Sequence, residues 1–297
     1  MNDMAAGNIV FRRWQIGDVR ITRVIEVEKV TLPPDLILQI DATAVQTHDW
    51  LMPDHADADG NIMMNIQAFL LEVGGMTIMV DPCLGNGKDR EGAAIYHMRD
   101  GPFLEDLEQA GFPPESIDVV LCTHLHFDHV GWNTRLVDGK WVPTFANARY
   151  LFAKGEFEDA KADTWQTSVN AFEDSIQPIL DAGLADFVEV DHRLCDEISL
   201  VPTPGHTNGH CSIHISSQGK HAVITGDMIH HPIQARHTKV CSHVCVDPDA
   251  AEATRLSSLT EWCENDVLVL GSHFCGPTGV YFEPDVEGWK LKSETGL

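Results

Sequence analysis

Apolar positions along the chain fall into short runs divided by turn residues, and the runs predict strands interspersed with a few helices. Over residues 15–27, Ile16, Val19, Ile21 and Val24 alternate with polar neighbours, as in a half-buried edge hairpin. Residues 66–73 and 76–81 flank Gly74-Gly75, a strong hairpin signal. Over residues 102–111, Leu104, Leu107 and Ala110 share a helical face and Gly111 suits the stop. A strand from Val119 follows, and residues 149–152 form another. A helix is expected over 168–182, with Val169, Phe172, Ile176 and Leu180 inward and Gly183 ending it. Strands over 187–190 and 198–201 lead to a hairpin of 212–215 and 222–225 around the turn 216–219. Asp247-Pro248 supplies a cap and a first-turn proline for a helix to about Cys263, and a strand over 267–270 follows.

Strand pairs followed by a helix occur twice. That order predicts an α/β fold of two mixed β-sheets packed face to face, with helices outside. Residues 31–65, rich in Pro, Asp and His, show no period and read as a loop or lid within one domain spanning 1–297.

Four of the apolar runs end in metal-ligand side chains. Residues 118–121 lead to His124, His126, Asp128 and His129, residues 200–202 to His206, residues 222–225 to Asp227, and residues 267–270 to His273. Ligands at the carboxyl ends of strands in one sheet face a common crevice. Five His and two Asp exceed what one tetrahedral ion takes but suffice for two, each with an open position. Two such ions roughly 3.5–4 Å apart can share a hydroxide, a hydrolytic nucleophile at neutral pH. Neither half of the chain carries a complete set, so the halves are expected to pack together.

Charge and cysteine narrow the partners. Lys and Arg number 20 against 45 Asp and Glu, a formal charge of −25, which repels phosphate backbones and anionic membrane surfaces. Nucleic acid and membrane are therefore not expected partners. The start has neither a basic segment nor a long apolar one, and no run is long enough to span a bilayer, so a cytoplasmic protein is expected. The eight cysteines are scattered and do not form a disulfide framework. Cys122 and Cys211 lie in strand-like runs and read as small buried apolar residues. Cys241-Ser-His-Val-Cys245 lacks a second pair at zinc-ribbon spacing and reads as a loop near the site entrance. No Gly-x-Ser-x-Gly turn supports a serine hydrolase, and Gly85-Asn-Gly87 is not a dinucleotide loop.

The motif His124-x-His126-x-Asp128-His129, followed by His206, Asp227 and His273, resembles that of the metallo-β-lactamase superfamily over roughly residues 60–280. The resemblance implies an αβ/βα sandwich and two Zn2+ per chain, other divalent ions being alternatives. It implies Asp227 as the bridging carboxylate and Asp81 as a supporting carboxylate beside the metal site. A ligating Asp128 and a bridging Asp227 set the chain apart from true β-lactamases. The text around Trp132-Asn133 and Gly226-Asp-Met-Ile-His230-His231 resembles the branch of N-acyl-homoserine lactonases and methyl-parathion-hydrolase-like enzymes. Those lactonases typically carry a Tyr three residues after the bridging Asp, where this chain has His230.

The expected activity is hydrolysis of a carboxylic ester, foremost a lactone. Asp128 or Asp227 would pass a proton to the leaving alkoxide, and His230, with His231 less directly, would donate to the substrate. Trp132, Met228 and Phe274 are candidates for an apolar pocket wall. The expected partners are a small ester or lactone and, for assembly, a second copy of the chain. A phosphotriester or aryl-ester hydrolase of the same fold is the alternative, and a non-catalytic metal-binding protein is a second one from another class. A glyoxalase-II-like thioesterase would generally use basic residues near the C-terminus to hold its thiol carrier, and only Lys290 and Lys292 are available there.

Overall fold

The computed structural model describes residues 11–91, 95–162 and 170–292, which divide into two compact units. The first takes residues 1–26 and 66–192, the second residues 27–65 and 193–297.

The first unit is built on a seven-stranded mixed sheet. Its strands are β1 (Arg12–Ile16), β2 (Val19–Leu32), β3 (Ile62–Val73), β4 (Met76–Val80), β5 (Val119–Leu121), β8 (Arg149–Ala153) and β9 (Ala185–Val188), in that order across the sheet. β6 (Thr134–Val137) and β7 (Lys140–Pro143) form a separate hairpin. The chain passes from one unit to the other along β2 and β3. β3 and β4 meet around Gly74-Gly75 as expected, pairing Val73 with Met76. β4, β5, β8 and β9 run parallel, and Val119, Val120 and Leu121 are all buried, as parallel strands covered on both faces require. The helix Phe103–Gln109 buries Phe103 and Leu107, and Gly111 follows with φ of 101°.

The helix expected over 168–182 departs from its pattern. Val169 and the start lie outside the described residues. The rest is a π-turn, Phe172–Ile176, followed by an α-turn, Gln177–Asp181. The extra residue of a π-turn rotates the face, so Asp174, Ser175, Ile176 and Ile179 point inward, and Phe172 and Leu180 are only half-buried. Pro178 explains the break. It has no N–H for the Asp174 carbonyl, which instead accepts from Lys88 Nζ at 2.9 Å and from the Thr134 hydroxyl. The Asp174 carboxylate pairs with the Arg90 guanidinium at 2.6 and 3.0 Å. A buried ion pair thus replaces the apolar stripe that the periodicity suggested.

The second unit carries a five-stranded sheet of β10 (Ile198–Pro202), β11 (Cys211–Ser217), β12 (Lys220–Ile224), β13 (Leu268–Leu270) and β14 (Gly279–Val280), also mixed. β15 (Phe282–Pro284) and β16 (Trp289–Leu291) pair beside it in sequence. The helix Pro248–Glu264 begins as expected, with the Asp247 carboxylate accepting from Ala250 N at 2.9 Å.

Residues 31–65 contain more structure than a loop. They include the helix Ala42–Gln46, capped by Asp41, and single turns at Pro34–Leu36 and Asp49–Leu51. Leu38, Val45, Leu51, Ala56, Ile62 and Met64 pack with Ile233 in a core of their own. Among the described residues no helix is long and apolar enough to cross a membrane.

Candidate metal centre

In the first unit the candidate ligands follow β5 directly. Two strand ends lie side by side there, because β4 and β5 are parallel partners. Asp81 closes β4 with φ of 51° and its N–H bonds to Leu121 O at 3.0 Å. Its carboxylate accepts from Thr123 N and from the Thr123 hydroxyl, both at 2.8 Å, and from His129 Nδ1 at 2.9 Å. The hydroxyl, having given its hydrogen to Asp81, accepts from His124 Nδ1 at 3.1 Å. Both rings are thereby fixed with the hydrogen on Nδ1 and a bare Nε2. His124 Nε2 faces His126 Nδ1 at 3.1 Å, and His129 Nε2 lies 3.8 Å from Asp128 Oδ2.

Behind these rings the backbone is packed tightly. A Cβ on Gly131 would lie 1.7 Å from Leu84 O, so only glycine fits that crossing. Glu26, whose carboxyl is pushed up by burial, accepts from Leu84 N at 2.7 Å and from the Trp132 indole at 2.8 Å. Trp132 is stacked on Phe103 with ring centres 5.7 Å apart. Its role in this unit is thus to brace the ligand loop. Tyr96, whose position no sequence pattern marks, has its ring 5.6 Å from Phe127, and burial and then the Asp128 charge push its hydroxyl up to about 12.

In the second unit three strand ends supply one ligand each. His206 follows β10 through Gly205, where a Cβ would lie 2.2 Å from Ala251 N at the start of the helix Pro248–Glu264. Asp227 follows β12 and His273 follows β13. The Asp227 carboxylate sits among three imidazoles. Oδ2 is 3.4 Å from His206 Nε2 and 3.2 Å from His230 Nε2, and Oδ1 is 3.0 Å from His273 Nε2. Its two oxygens therefore face different candidate ligands, the disposition a bridging carboxylate needs.

The partners that orient this half were not expected. His273 Nδ1 donates to Asn65 O at 2.8 Å, leaving Nε2 bare. Asn65 is held in turn by Lys29 N at 2.9 Å and the Cys275 thiol at 3.1 Å, both on Oδ1. The Asp227 N–H donates to His210 Nε2 at 2.9 Å. His210 Nδ1 then donates to the Thr203 hydroxyl at 2.8 Å, which passes its hydrogen to Ser212 at 3.1 Å, and Ser212 donates to Thr225 O at 2.8 Å. That circuit clamps the turn carrying Asp227. The spacing His206-x-x-x-His210 was the one visible signal of it.

The remaining expected residues take other places. Met228 and Phe274 are buried in an apolar cluster with Ile229, Leu259 and Trp262. His231 is fully buried, its Nε2 donating to His55 O at 2.8 Å and its Nδ1 accepting from Ile233 N at 3.2 Å. Burial holds His231 down at about 3 and His55 at about 4. Cys245 Sγ lies 3.8 Å from His206 Nδ1, so the Cys241–Cys245 loop does border a candidate ligand.

These residues fit a divalent ion. In the second unit the His273 Nε2 lone pair faces the Asp227 carboxylate at 3.0 Å, a contact that calls for a cation between them. A donor set of imidazoles and carboxylates suits divalent first-row metals, zinc and iron among them.

Comparison with known proteins agrees. The model of the metallo-beta-lactamase superfamily matches residues 64–285. An N-acyl homoserine lactonase from a Bacillus species is 27% identical over 184 residues, covering 56% of this chain and 67% of that protein. One from Bacillus cereus is 26% identical over 171 residues, and the chain spans 62% of its length. Among solved structures, the hydrolase AbOPH of the beta lactamase superfamily has a TM-score of 0.78 at 25% identity, covering 97% of this chain and 98% of that one. AidC, a dizinc quorum-quenching lactonase, has a TM-score of 0.77 at 22% identity with the same coverage. The expected fold is thereby found and the homologues are hydrolases; the chain belongs to the metallo-beta-lactamase superfamily.

Proposed function

We propose that the chain is a dinuclear zinc hydrolase of carboxylic esters, with lactones as its foremost substrates. The metal would be held by His124, His126, Asp128 and His129 of the first unit and by His206, Asp227 and His273 of the second. Bound there, two divalent ions would supply a water acidified to near neutral pH and Lewis-acid polarisation of the ester carbonyl. Water adds to the carbonyl carbon, the carbon–oxygen bond to the alcohol breaks, and a carboxylic acid and an alcohol result. Asp128, the more exposed of the two carboxylates, is the better placed to return a proton to the leaving alkoxide.

The observation that carries this reading is the Asp227 carboxylate, with a candidate ligand on each oxygen and its own N–H anchored by His210. The similarity to N-acyl homoserine lactonases favours the lactone over the phosphotriester. The test is proton release from a panel of acyl lactones, aryl lactones, aryl esters and phosphotriesters, with elemental analysis of protein purified without added metal. About two zinc ions per chain and fastest turnover of a lactone are expected. At most one ion would exclude the dinuclear centre, and fastest turnover of a phosphotriester would move the function to that class.

A further inference from the structure

His230 stands where related lactonases typically place a tyrosine, and the sequence suggests a donor to substrate there. Its surroundings indicate a different task. The ring is 4% exposed and sits against both neighbouring candidate ligands, edge-on to His206 with centres 4.9 Å apart and stacked on His273 at 6.0 Å. Its backbone is fixed, because Gln234 Oε1 accepts from His230 N at 2.7 Å and from His231 N at 3.2 Å. Its Nε2 points at Asp227 Oδ2, 3.2 Å away.

The other nitrogen distinguishes His230 from the candidate ligands. His124, His129 and His273 each donate from Nδ1 to an oxygen, at 3.1, 2.9 and 2.8 Å, and His206 Nδ1 meets the Cys245 sulfur. The oxygen partners of His124, His129 and His273 place the ring hydrogen on Nδ1 and none on Nε2. His230 Nδ1 is buried with no hydrogen-bond partner among the described residues. A hydrogen there would be buried with nothing to accept it, a cost that native structures avoid. The hydrogen therefore belongs on Nε2, where a carboxylate oxygen accepts it.

We propose that His230 is a positioning residue that donates its Nε2–H to Asp227, fixing the carboxylate for the metal ions, and that it is neither a metal ligand nor a donor to the substrate. The proposal rests on the reading above, in which Asp227 holds metal. It follows that the hydrogen a lactonase tyrosine would offer a carbonyl is already used here.

Substitution can separate the two ring nitrogens, because a glutamine amide reaches to about the place of Nε2 and an asparagine amide to that of Nδ1. Zinc affinity would be measured on the full chain by competition with a chromophoric chelator, alongside kcat and KM for the best ester of the panel. Loss of an orienting partner typically costs about 10–100-fold in metal affinity. That loss is expected in His230→Ala and His230→Asn, with kcat reduced and KM little changed, whereas His230→Gln should keep zinc affinity within about threefold of the parent. Retention of affinity by Asn and not by Gln would overturn the proposal, as would a rise in KM alone with zinc affinity unchanged in Ala. Should His230→Ala fail to fold, the Gln and Asn pair decides the matter. Failure of the underlying reading looks different: Asp227→Ala would then bind zinc as tightly as the parent chain.

Discussion

The two units orient their candidate ligands by different kinds of atom. After β5, four candidate ligands lie within six residues, and one side chain, Asp81, takes hydrogen bonds from Thr123 and His129 and through Thr123 from His124. In the second unit the ligands come from three strand ends, and main-chain atoms do much of the work. Asn65 O orients His273, the Asp227 N–H binds His210, and His206 O accepts from Val246 N at 3.0 Å. A side chain can be deleted by substitution and a carbonyl cannot. Apart from His230, the supporting residues of the second unit should therefore be the more tolerant of point mutation.

The largest effect is expected at the one carboxylate of the second half. Asp227→Ala removes both oxygens that face His206 and His273. Turnover should fall by about a thousandfold or more, the several kcal/mol that metal ions contribute to such transition states, and the zinc content should drop. A variant that retains two ions and a tenth of its rate would remove Asp227 from the role of bridge.

The next effect tests the comparison itself. Asp81→Ala frees His129 and Thr123 together, and a loss of about 10–100-fold in zinc affinity is expected. Asn65→Ala keeps the carbonyl that holds His273 and gives up only the side-chain contacts to Lys29 N and Cys275. Its zinc affinity should fall by less than about tenfold, most of the damage appearing as roughly 1–3 kcal/mol of lost stability. Equal losses of zinc affinity in the two variants would show that the distinction between side-chain and main-chain support has no consequence.

His210→Ala sharpens the same point from the other side. The variant leaves the Asp227 amide and the Thr203 hydroxyl buried without their partner, at a cost of about 1–3 kcal/mol. A lowered midpoint in thermal unfolding and a several-fold loss of kcat are expected. Unchanged stability would mean that the circuit through Thr203 and Ser212 does not hold the turn.

The difference between the halves also governs what the sequence could reveal. Gly74-Gly75, Asp247-Pro248 and the strand-end positions of the seven candidate ligands were legible, since turn, cap and apolar run are written in residue type. Asp81 was visible because it is an acidic side chain at a strand end. The role of Asn65 was not, because the group that matters is its carbonyl, which every residue has. Residues 31–65 escaped for a related reason. Their helices are single turns stabilised by the packing of Leu38, Val45 and Leu51 on Ile233, with no periodicity of their own to detect. The inward face of the helix over 168–182 differs from its periodicity because the ion pair of Arg90 with Asp174, and the carbonyl freed by Pro178, are long-range facts.

The smallest effect on the site is expected at His231, adjacent to His230 and buried for a different purpose. Burial, the larger cause, and then the neighbouring His55 hold it at about 3, against 6.5 for an exposed ring. Because the folded value is the lower, the unfolded chain takes up the proton first as the pH drops. Stability from this residue is therefore complete above about pH 6.5 and is lost progressively as the pH falls towards 3. The loss at pH 5 relative to neutral pH comes to about 2 kcal/mol. His231→Gln removes the titrating group and keeps an amide able to donate to His55 O. Urea unfolding of this variant at pH 7.5 and pH 5 should show a decline smaller by about 2 kcal/mol than in the parent chain, with His55, held at about 4, accounting for part of what remains. Zinc content at neutral pH should not change. An identical acid decline in the two proteins would show that His231 is not buried in its uncharged form.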